Sequence, residues 1–171
     1  CVGTELLLGD ILNTNSRFLS RELALMGISV LRHTTVGDNM KRLCAALREA
    51  SSRSDIIIAS GGLGPTADDI TKDALGLVLG LPLETHAPTA LTIERYFQKR
   101  GIPMPPTNLK QALVPEGADV FENNNGSAPG IGIKTGGKTF VLLPGPPREL
   151  EPMFLDRVRD YLASYSDCVI I

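Results

Sequence analysis

The chain has almost no excess charge of either sign: 17 Lys and Arg stand against 19 Asp and Glu, a net charge of -2. The basic residues are dispersed, so the electrostatic footprint of a duplex-binding protein is missing and nucleic acid is not an expected partner. Cysteine is scarce. Cys1, Cys44 and Cys168 are odd in number, far apart and without CxxC spacing, which excludes a thiolate metal site or redox dithiol and fits a reducing, cytoplasmic compartment. His33 and His86 stand alone and read as structural or solvated residues, and neither a zinc pattern nor a nucleophile–histidine–acid triad is present. No apolar run approaches the roughly 20 residues that a bilayer span needs, and no signal peptide is visible. Repeats, low-complexity tracts and linkers are lacking, so residues 1–171 are expected to form one domain, with 43% hydrophobic residues to fill its core.

What is present has the grammar of an α/β layered fold. Phe18, Leu19, Leu23 and Met26 recur at helical spacing from Thr14, and Gly27 follows as a stop. Residues 28–36, rich in β-branched types, read as a strand. Asp38 or Asn39 then caps a helix whose inner face is Met40, Leu43, Cys44, Leu47 and Ala50, which makes Cys44 a core residue. The run "DIIIA" at 55–59 is apolar without alternation, as in a central parallel strand covered on both faces. A helix over about 69–80 buries Ile70, Ala74, Leu77 and Val78. Alternation of this kind predicts a mostly parallel sheet. Beyond Leu81 the pattern changes: a helix at 88–100 turns Ile93 and Phe97 inward, and "GIPMPPTN" breaks the chain, which predicts a smaller lobe or a long excursion from the sheet. Strands follow near 113–121, 129–134 and 139–143, with a hairpin over Gly136-Gly137, and a helix over 148–163 carries Leu150, Phe154, Val158, Tyr161 and Leu162 on one stripe.

Residues 132–139, "GIKTGGKT", match the P-loop pattern letter for letter. A P-loop opens a helix, whereas "TFVLL" follows here and reads as a strand, so the match is a hairpin turn with Lys138 beside it. "SGGLGPTADD" at 60–69 has the context that the false match lacks, because it leaves the carboxyl end of a central strand, where an α/β sheet binds its ligand. Gly61, Gly62 and Gly64 allow backbone to approach a phosphate, with Thr66 at the exit. Asp68 and Asp69 sit where a helix starts; capping accounts for one acid, and a tandem pair beside a phosphate also suits a divalent cation. Thr4 and Glu5 in "VGTELLLGD", and Pro144 and Gly145 in "LLPGPPREL", lie in loops expected at the same sheet edge. "ENNNGSAPG" at 122–130 reads either as a surface turn or as a polar loop that recognises a ligand, with Ser127 as the candidate contact.

Four segments in order, "VGTELLLGDILNTN", "TTVGDNMKRL", "GGLGPTADDITKDAL" and "LLPGPPRELEPMF", resemble the N-terminal domain of the competence/damage-inducible protein A (CinA) family, within the MogA/MoaB-like molybdopterin-binding superfamily. The resemblance covers essentially the whole chain. It implies a three-layer α/β/α fold and a nucleotide pyrophosphate substrate, specifically ADP-ribose hydrolysed to AMP and ribose 5-phosphate with Mg, Co or Mn and with K+. Carried over by motif, Asp38 and Asp69 are the catalytic candidates, and Asp38, Asp68, Asp69 and Glu5 the metal candidates. Thr4, Gly61, Gly62, Gly64, Thr66, Ser127, Pro144 and Gly145 are the substrate-binding candidates. Two other readings stand beside hydrolysis: a molybdopterin-binding protein or transferase of molybdenum-cofactor biosynthesis, and a non-catalytic nucleotide-sensing module. Relatives assemble as dimers or trimers, so a homo-oligomer is expected by analogy. Longer relatives carry a C-terminal nicotinamide mononucleotide deamidase domain with no counterpart in residues 1–171. Since "CVGTE" reads as the tail of a strand and "DCVII" as the start of one, the chain is expected to be truncated or a stand-alone relative.

If the hydrolase reading holds, Asp69→Asn removes AMP release from ADP-ribose, followed by chromatography, while its circular dichroism spectrum stays that of the parent. Full turnover in the variant removes Asp69 from the chemistry.

Overall fold

A computed structural model describes residues 1–165. Its sheet has the order β1-β6-β5-β4. Strand β1 (Ile56–Ser60) pairs in parallel with β6 (Lys138–Leu143), whereas β5 (Gly130–Thr135) and β4 (Asp119–Phe121) continue antiparallel. Alternate side chains of the paired strands leave in opposite directions, which creates the layers. Ile57, Ala59, Phe140 and Leu142 meet α3 (Met40–Arg53) and α4 (Thr71–Leu79) through Leu43, Cys44, Leu47, Ala74 and Leu75. Ile56, Ile58, Val141 and Leu143 meet α2 (Thr14–Leu25) and the C-terminal helices through Leu19, Leu23, Leu150, Phe154, Val158 and Leu162. Both faces of β1 and β6 are thus covered, the three-layer α/β/α arrangement, and burial of each large aliphatic side chain stabilises it by roughly 1.5–3 kcal/mol.

The C-terminal helical run starts as α6 (Pro147–Met153), widens to a π-helical stretch over Phe154–Val158 and ends as α7 (Arg159–Leu162). Pro152, which has no N–H to donate, lies just before the widened turns. The stripe predicted for this segment is in place: Leu150, Phe154, Val158 and Leu162 have no exposed surface. At the β5–β6 turn Gly136 and Gly137 both have positive φ (56° and 72°), the conformation of a two-residue hairpin. "GIKTGGKT" is therefore a turn, and Lys138 pairs with Asp55 at 3.2 Å.

Several expectations need correction. The sheet is mixed, because the tight β5–β6 hairpin forces antiparallel pairing. Residues 28–36 do not form a strand: Val36 alone bridges, in parallel, to Val2. A cavity of about 520 Å3, lined by Ile28 and Val30 on one side and Ile56 and Ile58 on the other, separates this segment from β1. The backbone bonds of this segment to Cys1 and Gly3 involve Thr34 and Val36 alone, and β-branched composition without a continuous ladder does not make a strand. Thr4 and Glu5 lie in a short helix, α1 (Thr4–Leu8), instead of a loop. The helix predicted over 69–80 starts at Thr71 and ends at Leu79, with Leu77 exposed and Leu75 buried in its place. The strand predicted over 113–121 is two strands separated at Gly117 (φ 75°): β3 (Leu113–Pro115) and β4. Cys168 and "DCVII" lie outside the described residues. Among the described residues no helix is long and apolar enough to cross a membrane.

The small lobe predicted after Leu81 is present. It consists of β2 (Leu83–Thr85) antiparallel to β3, α5 (Ala87–Gln98) and a 3-10 segment, Pro106–Ala112. An unexpected buried cation fastens it. Lys72, on α4 and only 1% exposed, donates from Nζ to the carbonyls of Lys110 (2.8 Å) and Gln111 (3.0 Å). Burial lowers its pKa to about 8, an effect that Asp73 opposes, Lys110 adds to and Asp69 opposes. Between about pH 8 and the unfolded value near 10.5 the unfolded chain binds the extra proton, so stability rises with pH across that window. In urea unfolding the parent should gain up to about 3 kcal/mol from pH 8 to 10.5 relative to Lys72→Met, which lacks the titrating group. Parallel pH profiles for the two proteins would show that Lys72 keeps an ordinary pKa.

Candidate functional site

The site begins at the carboxyl ends of two adjacent parallel strands. Gly61 N–H donates to Leu143 O (3.0 Å), which lays the loop after β1 directly against the one after β6. Asn15 of α2 reinforces the join, with its Nδ2 donating to Ser60 Oγ (2.8 Å) and Gly145 O (2.7 Å). The glycines of "SGGLG" are required sterically. Gly61 and Gly62 have φ of 100° and 68°, and a Cβ on either would overlap Val2 O or Thr71 Oγ1. Thr71, fully buried, closes the turn by donating from Oγ1 to Gly61 O (2.8 Å) and from N–H to Gly62 O (3.1 Å).

The aspartates are not helix caps. Ile70 precedes α4 without a side-chain cap, and Asp69 instead folds back on its own loop, its Oδ2 accepting from Thr66 N–H (2.8 Å) and Oγ1 (2.5 Å). From outside the loop, Lys110 Nζ donates to Asp69 O (2.7 Å) and Thr66 O (3.1 Å). Asn39 caps α3 by accepting from Arg42 N–H, which frees Asp38 from that role. Asp38 Oδ2 accepts from Thr4 N–H (2.9 Å) and Oγ1 (2.8 Å), and so holds the start of α1. Each aspartate is thus fixed through Oδ2, while Oδ1 accepts no hydrogen bond among the described residues.

These elements surround a cavity of about 400 Å3. Of the residues singled out from sequence, Glu5, Asp38, Gly61, Gly62, Gly64, Asp68, Asp69, Ser127, Pro144 and Gly145 line it. Thr4 and Thr66 do not; they stand behind it and orient Asp38 and Asp69. Sequence reasoning missed Arg148, Glu149, Gln111 and Tyr96, which also line the cavity. Arg148 could have been noticed as the cation directly after "PGPP"; Gln111 and Tyr96 come from the small lobe, and nothing local marks them. Gln111 is 2% exposed, and its Oε1 accepts from Asn108 Nδ2 (3.2 Å).

The lining is acidic, with Glu5, Asp38, Asp68, Asp69 and Glu149 against Arg148. Their oxygens are the hard donors that Mg or Mn prefers. Yet among the described residues no three His, Cys, Asp or Glu side chains converge closely enough to hold a metal ion. In the expected metal set of Asp38, Asp68, Asp69 and Glu5, Thr4 and Thr66 each engage one carboxylate oxygen, of Asp38 and Asp69 respectively.

The sequence matches the family described as a probable molybdopterin binding domain over residues 1–164. The chain belongs to that family. Within it the chain is CinA-like. It is 35% identical to the protein CinA with unknown function from Thermoplasma acidophilum, with a TM-score of 0.85 over 93% of each chain. It is 54% identical over 166 residues to a putative competence-damage inducible protein of Caldicellulosiruptor bescii and 53% identical over 169 residues to a CinA-like protein of Dictyoglomus thermophilum. Those alignments take in 97% and 99% of this chain but only 40% and 41% of the relatives, so the chain spans about two fifths of their length. The molybdopterin biosynthesis enzyme MoaB of Thermus thermophilus, 19% identical with a TM-score of 0.57 over 98% of this chain and 93% of its own, shares the fold.

Two glycine replacements separate loop strain from crowding. Gly136→Ala meets only the backbone cost, since nothing lies within 4 Å of its Cβ position. Gly62→Ala adds the overlap with Thr71 Oγ1. The first should cost about 1 kcal/mol in chemical unfolding and the second clearly more, about 2–4 kcal/mol. Equal losses would mean that the loop yields freely around position 62.

Proposed function

We propose that this domain binds a phosphorylated fused-ring ligand of the molybdopterin class in the 400 Å3 cavity. The observation that carries the reading is the junction of two strand-end loops: glycines that cannot bear a Cβ, Pro144-Gly145 opposite them, and Arg148 on the rim. The crevice outside the carboxyl ends of parallel strands is where an open α/β sheet takes its ligand. The guanidinium of Arg148 supplies a planar fork for phosphate oxygens. The family's description as molybdopterin-binding supports this class of ligand.

The acidic lining favours a second reading, hydrolysis of a nucleotide pyrophosphate such as ADP-ribose. Five carboxylates around a glycine loop repel a polyphosphate unless cations accompany it. Glu5, Asp38, Asp68, Asp69 and Glu149 supply the oxygen donors that would meet such cations. The chain's own contribution would be the Oδ1 atoms of Asp38 and Asp69, whose Oδ2 atoms Thr4 and Thr66 hold, free to orient a water or accept its proton. Assembly as a homodimer or homotrimer belongs to the same proposal: Leu7, Leu8, Ile11 and Leu12 are 51–85% exposed beside the site and would be covered by another copy.

The deciding experiment mixes purified protein with 6-hydroxymethylpterin diphosphate or with ADP-ribose. Binding is read by calorimetry and AMP by chromatography, with and without Mg, Co, Mn and K+. Pterin binding without AMP release is the expected result. Metal-dependent AMP release moves the assignment to the second reading, ADP-ribose binding without turnover to a nucleotide-sensing module, and absence of all three overturns the site.

A further inference from the structure

A second cavity, about 250 Å3, abuts the first and shares Tyr96, Gly126 and Ser127 with it. Alone it is smaller than the roughly 300–1,000 Å3 of a free-standing ligand pocket, and it makes better sense as an annex to its neighbour. The wall between the two is fixed. Asn123 Nδ2 donates to Ala128 O and to Glu149 Oε2, both at 2.8 Å, which clips the loop across residues 123–128 and onto α6. At Gly126 that loop lies so close to α6 that a Cβ would run into the Glu149 carboxylate.

The two chambers differ in chemistry. The larger holds the glycine loop and the carboxylates. The smaller sets apolar Ile93, Val120 and Pro129 beside His86, Asn123 and the Glu122–Arg157 pair (3.8 Å), a mixture that suits a flat, apolar-faced ring with hydrogen-bonding edges. Tyr96 of α5 stands at the junction. Its ring is oriented by the Arg100 guanidinium 3.6 Å from its centroid and by an edge contact with Phe97 at 5.5 Å. A stacked guanidinium and phenol is a surface on which heteroaromatic rings pack.

We infer that the smaller chamber is the subsite for the fused-ring nitrogen heterocycle, purine or pterin, of a ligand whose phosphates occupy the glycine loop, and that Tyr96 is the stacking residue that sets the preference for such a ring. The inference rests on the ligand-site reading above and adds to it the recognised moiety and its location. It also gives the small lobe a purpose, since α5 carries Tyr96, and the 3-10 segment Gln111, into a site otherwise built by the main domain.

The test compares ligands with and without the ring. Calorimetry measures binding of ADP-ribose, 6-hydroxymethylpterin diphosphate and inorganic pyrophosphate to the parent, Tyr96→Phe and Tyr96→Ala, each checked for an unchanged melting temperature. At least one ring-bearing ligand should bind the parent more tightly than pyrophosphate. Tyr96→Ala should weaken that ligand about tenfold or more, leave pyrophosphate within about twofold, and be rescued by Tyr96→Phe. Ring-bearing ligands that bind no better than pyrophosphate, or an advantage that survives Tyr96→Ala, overturn the subsite and leave the phosphate loop standing. Ring-dependent binding without any pyrophosphate binding overturns the phosphate loop and keeps the subsite; no binding of any ligand removes both.

Discussion

The parallel register of β1 against β6 is the constraint on which the site depends. It sets Ser60 beside Leu143, so the chain leaves both strands at the same height and the Gly61 N–H finds the Leu143 carbonyl. Two loops separated by more than eighty residues then face each other across a narrow gap, with Asn15 stitching them from a third element. A slip of one residue would exchange the faces of β6, turning Phe140 and Leu142 into the layer shaped for Val141 and Leu143 and the reverse. Register is thus enforced by both hydrophobic layers at once, and the geometry of the loops inherits that enforcement.

The small lobe is held to this frame by different means. Lys72 reaches through the interior to two backbone carbonyls of the 3-10 segment, and Lys110, on that segment, reaches back to the carbonyls of Thr66 and Asp69. The exchange links the lobe and the aspartate loop. It also explains why a cation is tolerated where an aliphatic side chain would ordinarily sit: carbonyl oxygens that would otherwise be buried without donors are satisfied by it. The aspartates follow similar logic, since threonine partners hold one oxygen of each and set the direction of the other.

Much of this was legible in the chain itself. The apolar stripes of α2, α3 and the C-terminal helices, the hairpin at Gly136-Gly137 and the rejection of the P-loop match all follow from periodicity and turn chemistry, which act over a few residues. So does the placing of "SGGLGPTADD" as a tight turn after a buried strand, where Gly61 and Gly62 take positive φ. The capping role considered for the aspartates was undone by tertiary contacts: Asn39 was the cap, and Thr4 and Thr66 claimed the carboxylates. The segment at 28–36 shows the opposite failure, where strand-forming composition pairs only at Val36, against Val2.

By itself the sequence determined the layered α/β architecture, the helix faces and the glycine loop, for each is encoded in spacing and in residues whose backbone freedom is special. Only the tertiary structure decided which strands run parallel, that Lys72 is buried, and that Arg148, Gln111 and Tyr96 join Asp38 and Asp69 around one cavity. The physical reason is range. Local propensities act between neighbours in sequence, whereas a site assembled from seven separate segments exists only once burial of the sheet's two faces has fixed where each segment ends.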